Sequence, residues 1–248
     1  MRGDQHPAAQ GAIRSRDDVR AMFDRIVPRY DLMNRLMTGG RDAAWRRLAV
    51  REALHGRNLA EVRVLDVATG TGDLALALRA AGAAEVTGLD FSAPMLAEAM
   101  RKETVAACNR RIIWVEGDAM SLPFPDASFD AVTVAFGLRN MPSYPAALHE
   151  MARVLRPAGT LVCLETTPLQ LPVLRAIFAW YFDHVVPIVG GLLSGDRDAY
   201  QYLPASAAAF PDAVTLGRMM LEAGFSRVRY LRLGLGTVAL HVAAKPGK

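Results

Sequence analysis

The 248-residue chain is 52% apolar and 22% charged, a balance that excludes a disordered or fibrous protein and suits one α/β domain with a full core. Its formal net charge of +4 is carried almost wholly by arginine, with lysine only at Lys102, Lys245 and Lys248. No basic block is interleaved with stacking aromatics, so no nucleic-acid partner is expected. Cys108 and Cys163 lack metal or disulfide spacing, and His6, His55, His149 and His241 lack ligand spacing, so no metal site is expected.

Residues 1–15 are rich in Gly, Ala, Gln and Pro without periodicity and read as a disordered tail. They lack the apolar core of a signal peptide, which points to a cytoplasmic protein. A single domain is expected over 16–248, opening with a helical cap over 16–57. Val19, Met22, Phe23 and Ile26 follow helical spacing until Pro28 interrupts. A second short helix carries Tyr30, Met33, Asn34 and Met37 and ends at Thr38-Gly39-Gly40; a third runs from Asp42 to Leu54.

Strands and helices then alternate. The β-branched run Val62–Val67 reads as a strand covered on both faces, followed by the turn Gly70-Thr71-Gly72 and a helix from Asp73. Further strands are expected near Glu85–Asp90, Ile112–Glu116, Phe129–Phe136 and Thr160–Glu165, with helices near Pro94–Ala106 (Ser92 as N-cap), Tyr144–Leu155 and Val214–Ala223. Val228–Leu233 and Thr237–Ala243 form a closing hairpin. Alternation of this kind implies a mostly parallel, doubly covered sheet of Rossmann-like type. The apolar stretch Leu169–Leu193 is broken by Pro172, Arg175, Asp183, His184 and Pro187, so it is not read as a membrane span.

Gly70 and Gly72 allow a sharp turn and close approach of a ligand, and the helix beyond them presents unpaired N–H groups. Asp90, 20 residues after Gly70, suits ribose hydroxyls. That fingerprint alone would also fit a nicotinamide cofactor. Two details favour S-adenosylmethionine (SAM): Asp66, inside the first strand, could meet an amino-acid ammonium, and Asp118-Ala119 could read an adenine edge. As a set, VLDVATGTG, VTGLDFS and VEGDAMSLPFPDASFDAV resemble the class I SAM-dependent methyltransferases, whose fold is the seven-stranded sheet expected here.

Three further stretches narrow the resemblance. These are Met22 to Asn34 (MFDRIVPRYDLMN), Phe136-Gly137-Leu138-Arg139-Asn140, and Asp198-Ala199-Tyr200-Gln201-Tyr202-Leu203. With Leu164-Glu165-Thr166-Thr167-Pro168 and Val238-Ala239-Leu240-His241, they are similar to the ubiquinone/menaquinone biosynthesis C-methyltransferase family. The resemblance implies methyl transfer from SAM to a ring carbon of a prenylated hydroquinone: demethylmenaquinol or the related ubiquinol precursor. It implies SAM contacts at Thr71, Asp90, Asp118 and Ala119. The chain departs from some members at Ala135, where they have Ser, and at Thr69-Gly70-Thr71, where they have Gly-Gly-Thr. Arg139 is expected to orient a water and stabilise a phenolate, with Asn140 and Tyr30 holding ring oxygens; water, Asp31 and His184 are open as proton acceptors. Leu169–Leu193, part of a substrate-side insertion over 169–210, would line a prenyl groove, touch a membrane surface at its inner face, form a buried helix or make a homodimer contact. Methylation of another small molecule at oxygen or nitrogen, and a non-catalytic SAM-binding partner, are the competing readings.

Overall fold

The first strand is short and almost wholly buried, and the later strands are laid down on either side of it. The computed structural model describes residues 16–106, 111–169, 202 and 206–247. In chain order these form α1 (Arg16–Thr38), α2 (Asp42–Leu54), β1 (Arg63–Val67), α3 (Asp73–Ala80), β2 (Glu85–Asp90), α4 (Ala93–Ala106), β3 (Ile113–Glu116) and β4 (Phe129–Ala135). A 3₁₀ turn (Leu138–Asn140), α5 (Tyr144–Val154), β5 (Leu155–Thr166), α6 (Ala213–Glu222), β6 (Arg227–Leu233) and β7 (Val238–Ala244) follow.

The seven strands lie in the order β3-β2-β1-β4-β5-β7-β6. The first five are parallel, and β7 runs antiparallel to both β5 and β6. The chain winds outward through β2 and β3, then returns to the other side of β1 with β4. The carboxyl ends of β1 and β4 therefore flank a topological switch point, where open α/β sheets bind ligands. Alternate residues of β1 feed two cores. Leu65 and Val67 pack with Leu148 and Met151 of α5 and Leu216 and Met220 of α6. Val64 packs on the opposite face with Ala49 and Ala53 of α2 and Leu74 and Leu78 of α3.

Three features differ from the sequence expectation. Pro28 lies inside α1, which runs unbroken from Arg16 to Thr38. The buried stripe Val19, Met22, Phe23, Ile26 and Met33 keeps one helical phase on both sides of the proline, and its burial against Met95 of α4 outweighs the lost backbone bond. Helix α2, expected in the cap, instead covers the sheet beside α3. The residues between the expected helix end at Leu155 and the expected strand start at Thr160 are instead an irregular bulge inside β5: Phe129 pairs with Leu155, and Ala131 already with Thr160. Ser92 caps α4 as expected, accepting from Met95 N at 3.3 Å. The segment over 170–193, and Asp198 to Gln201 with Leu203, lie outside the described residues.

Candidate active site

The site begins at the turn after β1. Ala68, Gly70 and Gly72 have φ of 52°, 55° and 82°, which throws the backbone back over the end of the strand. Gly72 cannot be replaced without strain: besides its φ, an added Cβ would lie 2.7 Å from Trp114 Cη2. At Gly70 an added Cβ would meet nothing nearer than Tyr30 Cε1 at 3.8 Å, so α1 passes directly above this residue.

Two buried carboxylates set the turn. Asp90 Oδ2 accepts from Gly70 N at 2.7 Å and Oδ1 from Ser92 N at 3.0 Å. Asp66 Oδ2 accepts from Thr69 Oγ1 and Oδ1 from Thr133 Oγ1, both at 2.6 Å. Burial pushes each carboxyl up to about 6, against the pull of these hydrogen bonds. Asp66 is thus brought to the turn but sealed beneath it, 1% exposed. Thr71 Oγ1 donates to Asp31 Oδ1 at 2.6 Å and accepts from Lys102 Nζ at 2.9 Å. Lys102 also pairs with Asp31 and, at 2.7 Å, with Asp73. This knot ties α1 and α4 to the turn, so Asp31 is already committed to a cation and a hydroxyl.

Beside the turn opens a cleft of about 470 Å³, its open mouth included, along the carboxyl ends of β1 to β4. Asp90, Phe91, Asp118, Ala119 and Met120 are among the residues that line it. The Asp118 carboxylate accepts from Met120 N at 2.9 Å, which bends the chain after β3 into the cleft. A largely apolar cleft with the Asp118 carboxylate and a backbone amide, and a second carboxylate beside a glycine turn, could hold an adenine joined to a ribose.

Arg139 and Asn140 follow β4 in the 3₁₀ turn, and Asn140 reaches the same cleft. Arg139 Nη1 donates to Phe136 O at 2.8 Å and pairs with Glu165 Oε1 at 2.6 Å. Glu165, 1% exposed, also accepts from Arg139 N at 3.3 Å and from Thr166 N at 2.8 Å. Burial, the largest single influence, lowers the guanidinium pKa, but Glu165 together with Tyr30 and Tyr202 makes the net shift upward. Arg139 Nε and Asn140 Oδ1 are buried and have no hydrogen-bond partner among the described residues. Tyr30 comes from α1 to the same rim; burial raises its phenol, opposed by Asn34 and by the charge of Arg139.

Asp66, Gly70, Thr71, Asp90, Asp118, Ala119, Tyr30, Arg139 and Asn140 therefore share one edge of the sheet; His184 lies outside the described residues. Glu165 and Lys102 were not singled out from sequence. The signal for Glu165 is a lone acid closing the apolar run Leu161–Leu164; that for Lys102 is the one lysine before residue 245 in a chain otherwise served by arginine.

Residues 11–245 match the ubiE/COQ5 methyltransferase family. The demethylmenaquinone methyltransferase of Thermus thermophilus is 51% identical over 226 residues, 91% of this chain and all of the relative. The ubiquinone/menaquinone biosynthesis C-methyltransferase UbiE of Paracoccus denitrificans is 42% identical over 229 residues, 90% of this chain and 88% of the relative. Among solved structures, a SAM-dependent methyltransferase of Thermotoga maritima superposes with a TM-score of 0.65 at 18% identity, covering 92% of this chain and 99% of that one. The [4+2]-cyclase SpnF superposes at 0.64 and 20% identity, over 95% and 98%. The fold is the class I, Rossmann-like one, and the presence of a cyclase within it means that the site, not the fold, must argue the chemistry.

Proposed function

The chain belongs to the ubiE/COQ5 methyltransferase family, and from that membership we propose that it methylates a ring carbon of a prenylated hydroquinone, converting demethylmenaquinol to menaquinol. SAM supplies the methyl group on a sulfonium. Asp90 would hold its ribose hydroxyls and Asp118 with Ala119 its adenine, while Asp66 would act through Thr69 and Thr133 to keep the turn in shape. Thr71 would contribute its backbone, since its hydroxyl serves Asp31 and Lys102.

The observation that carries the acceptor half is the pair of buried, unpartnered atoms on one rim: a donor, Arg139 Nε, and an acceptor, Asn140 Oδ1. A hydroquinone losing one proton offers their complements, a phenolate oxygen and an O–H. A quinone offers only acceptors and would leave Asn140 Oδ1 unsatisfied, so the pattern selects the reduced, electron-rich ring. With a phenol-like pKa near 10, about one hydroquinone in a thousand is ionised at pH 7, a deficit of roughly 4 kcal/mol. Arg139 cannot accept the proton, because its guanidinium stays charged. Its contribution is to stabilise the phenolate, while Tyr30, kept protonated by burial, donates a further hydrogen bond. One proton is released overall to solvent.

The test is turnover of a short-tailed demethylmenaquinol with SAM, read by mass spectrometry. Addition of one methyl to a ring carbon is expected; SAM binding with no methylated quinol would overturn the proposal.

A further inference from the structure

Helix α1 sorts its charges by face. Its acids beyond the first turns point inward, Asp24 accepting from Ser92 Oγ and Asp31 from Thr71 Oγ1. The outward face carries Arg25, Pro28, Arg29, Leu32, Arg35 and Leu36, all exposed. At about 100° per residue these six fall within an arc of roughly 120°. Leu32 and Leu36 are 51% and 48% exposed, and no acidic residue interrupts the arc between Arg25 and Leu36. Arg41, just past the helix, is exposed as well. An ordinary solvated face mixes charges of both signs. Single-sign arginine interleaved with exposed leucine and proline is instead the pattern of a helix lying on a lipid interface.

We propose that the outward face of α1 docks on the surface of an anionic lipid bilayer. Charge complementarity selects the partner: arginine side chains meet phosphate headgroups, and Leu32, Leu36 and Pro28 reach the acyl boundary between them. Among the described residues no helix is long and apolar enough to cross a membrane, so the contact is superficial. The same helix presents Tyr30 inward above Gly70, which sets the lipid surface one helix thickness from the acceptor rim. The purpose of the contact, delivery of a prenylated ring, rests on the proposed function; the contact itself does not.

The test is flotation of the full chain with phosphatidylcholine vesicles, with and without about 40% phosphatidylglycerol, in the absence of substrate. The protein should float only with the anionic vesicles and sink as salt is raised. At roughly fivefold in partitioning per arginine, Arg29→Gln with Arg35→Gln should weaken binding about 25-fold. Leu32→Gln with Leu36→Gln should weaken it about tenfold or more. Both variants should keep the melting temperature and the turnover of a short-tailed quinol. Wild-type protein that stays with the unbound fraction, or variants that float equally well, would overturn the proposal. So would a fall in sedimenting mass of the leucine variant with vesicle binding intact, which would assign the face to a second copy of the chain. Failure of the wild type to methylate the soluble quinol would strike the functional reading and leave the flotation result standing.

Discussion

The two rims of the site hold buried charge in opposite ways. On the cofactor rim, Asp66 and Asp90 are surrounded by hydroxyls and backbone amides, and neither forms an ion pair among the described residues. On the acceptor rim, the buried Arg139 is answered directly by Glu165. Dipoles only partly replace water, so the two aspartates are left titrating near 6, and Asp90, which lines the cleft, keeps lone pairs for a ligand. A countercharge fixes the guanidinium as a cation at every accessible pH and commits one of its edges. One rim is therefore pH-sensitive and adaptable; the other is constant and directional.

The strongest challenge to that contrast is Arg139→Ala. It removes the proposed phenolate stabiliser and leaves Glu165 as a buried carboxylate without its countercharge. Turnover should fall at least about 10³-fold, and stability by about 3–5 kcal/mol. SAM affinity, measured by calorimetry, should stay within about threefold. Arg139→Lys should fare little better in turnover, because a point charge cannot serve Phe136 O, Glu165 and a ring oxygen from one planar fork. Near-normal turnover in the lysine variant would remove directional holding from the account.

Asp90→Asn tests the other rim. The amide keeps one oxygen for Gly70 N or Ser92 N and turns an NH₂ group toward the other. SAM affinity should drop on the order of 100-fold. In the wild type the carboxylate must be ionised to accept ribose hydroxyls, so affinity should fall as pH is lowered through about 6. The variant should show no such dependence, and parallel pH profiles would exclude Asp90 as its source.

Local signals in the sequence were enough for the strands, the glycine turn and the Ser92 cap, because each depends on residues a few positions apart. What sequence reading missed depends on distance along the chain. Glu165 meets Arg139 across 26 positions only because β4 and β5 are neighbours, with Ala135 opposite Leu164. The Lys102–Asp31 pair joins α4 to α1, which no window of sequence contains. Pro28 misled in another way: its local cost is real, but the apolar stripe on either side of it is in phase, and packing decided.

Glu165→Gln probes the ion pair with smaller force. Glutamine retains an oxygen for Arg139 Nη1 and for Thr166 N but not the charge. The guanidinium should then reorient toward the ring oxygen with less constraint, and kcat should fall about 10–30-fold. KM for SAM should not change, since Glu165 is held away from the cofactor turn. Glu165→Asp, which keeps the charge but shortens the reach, should lose as much; recovery in the aspartate variant would mean that charge alone matters.

The smallest expected effect isolates the cost of holding Asp66 without a cation. Its carboxyl titrates at 3.8 ordinarily and at about 6 in the folded protein. Between those values the folded chain keeps a proton that the unfolded chain has lost, so this residue favours folding more as pH falls. Below 3.8 both states are protonated and the cost vanishes; above about 6 both are ionised and it is complete, on the order of 3 kcal/mol. Asp66→Asn preserves the shape, and the hydroxyls of Thr69 and Thr133 can rotate to donate to or accept from an amide. Relative to the wild type, the variant should therefore gain stability between pH 4 and pH 7 and level off above. Urea unfolding across that range measures the difference, and a gap that does not change with pH would mean that the carboxylate is not carrying a buried, uncompensated charge.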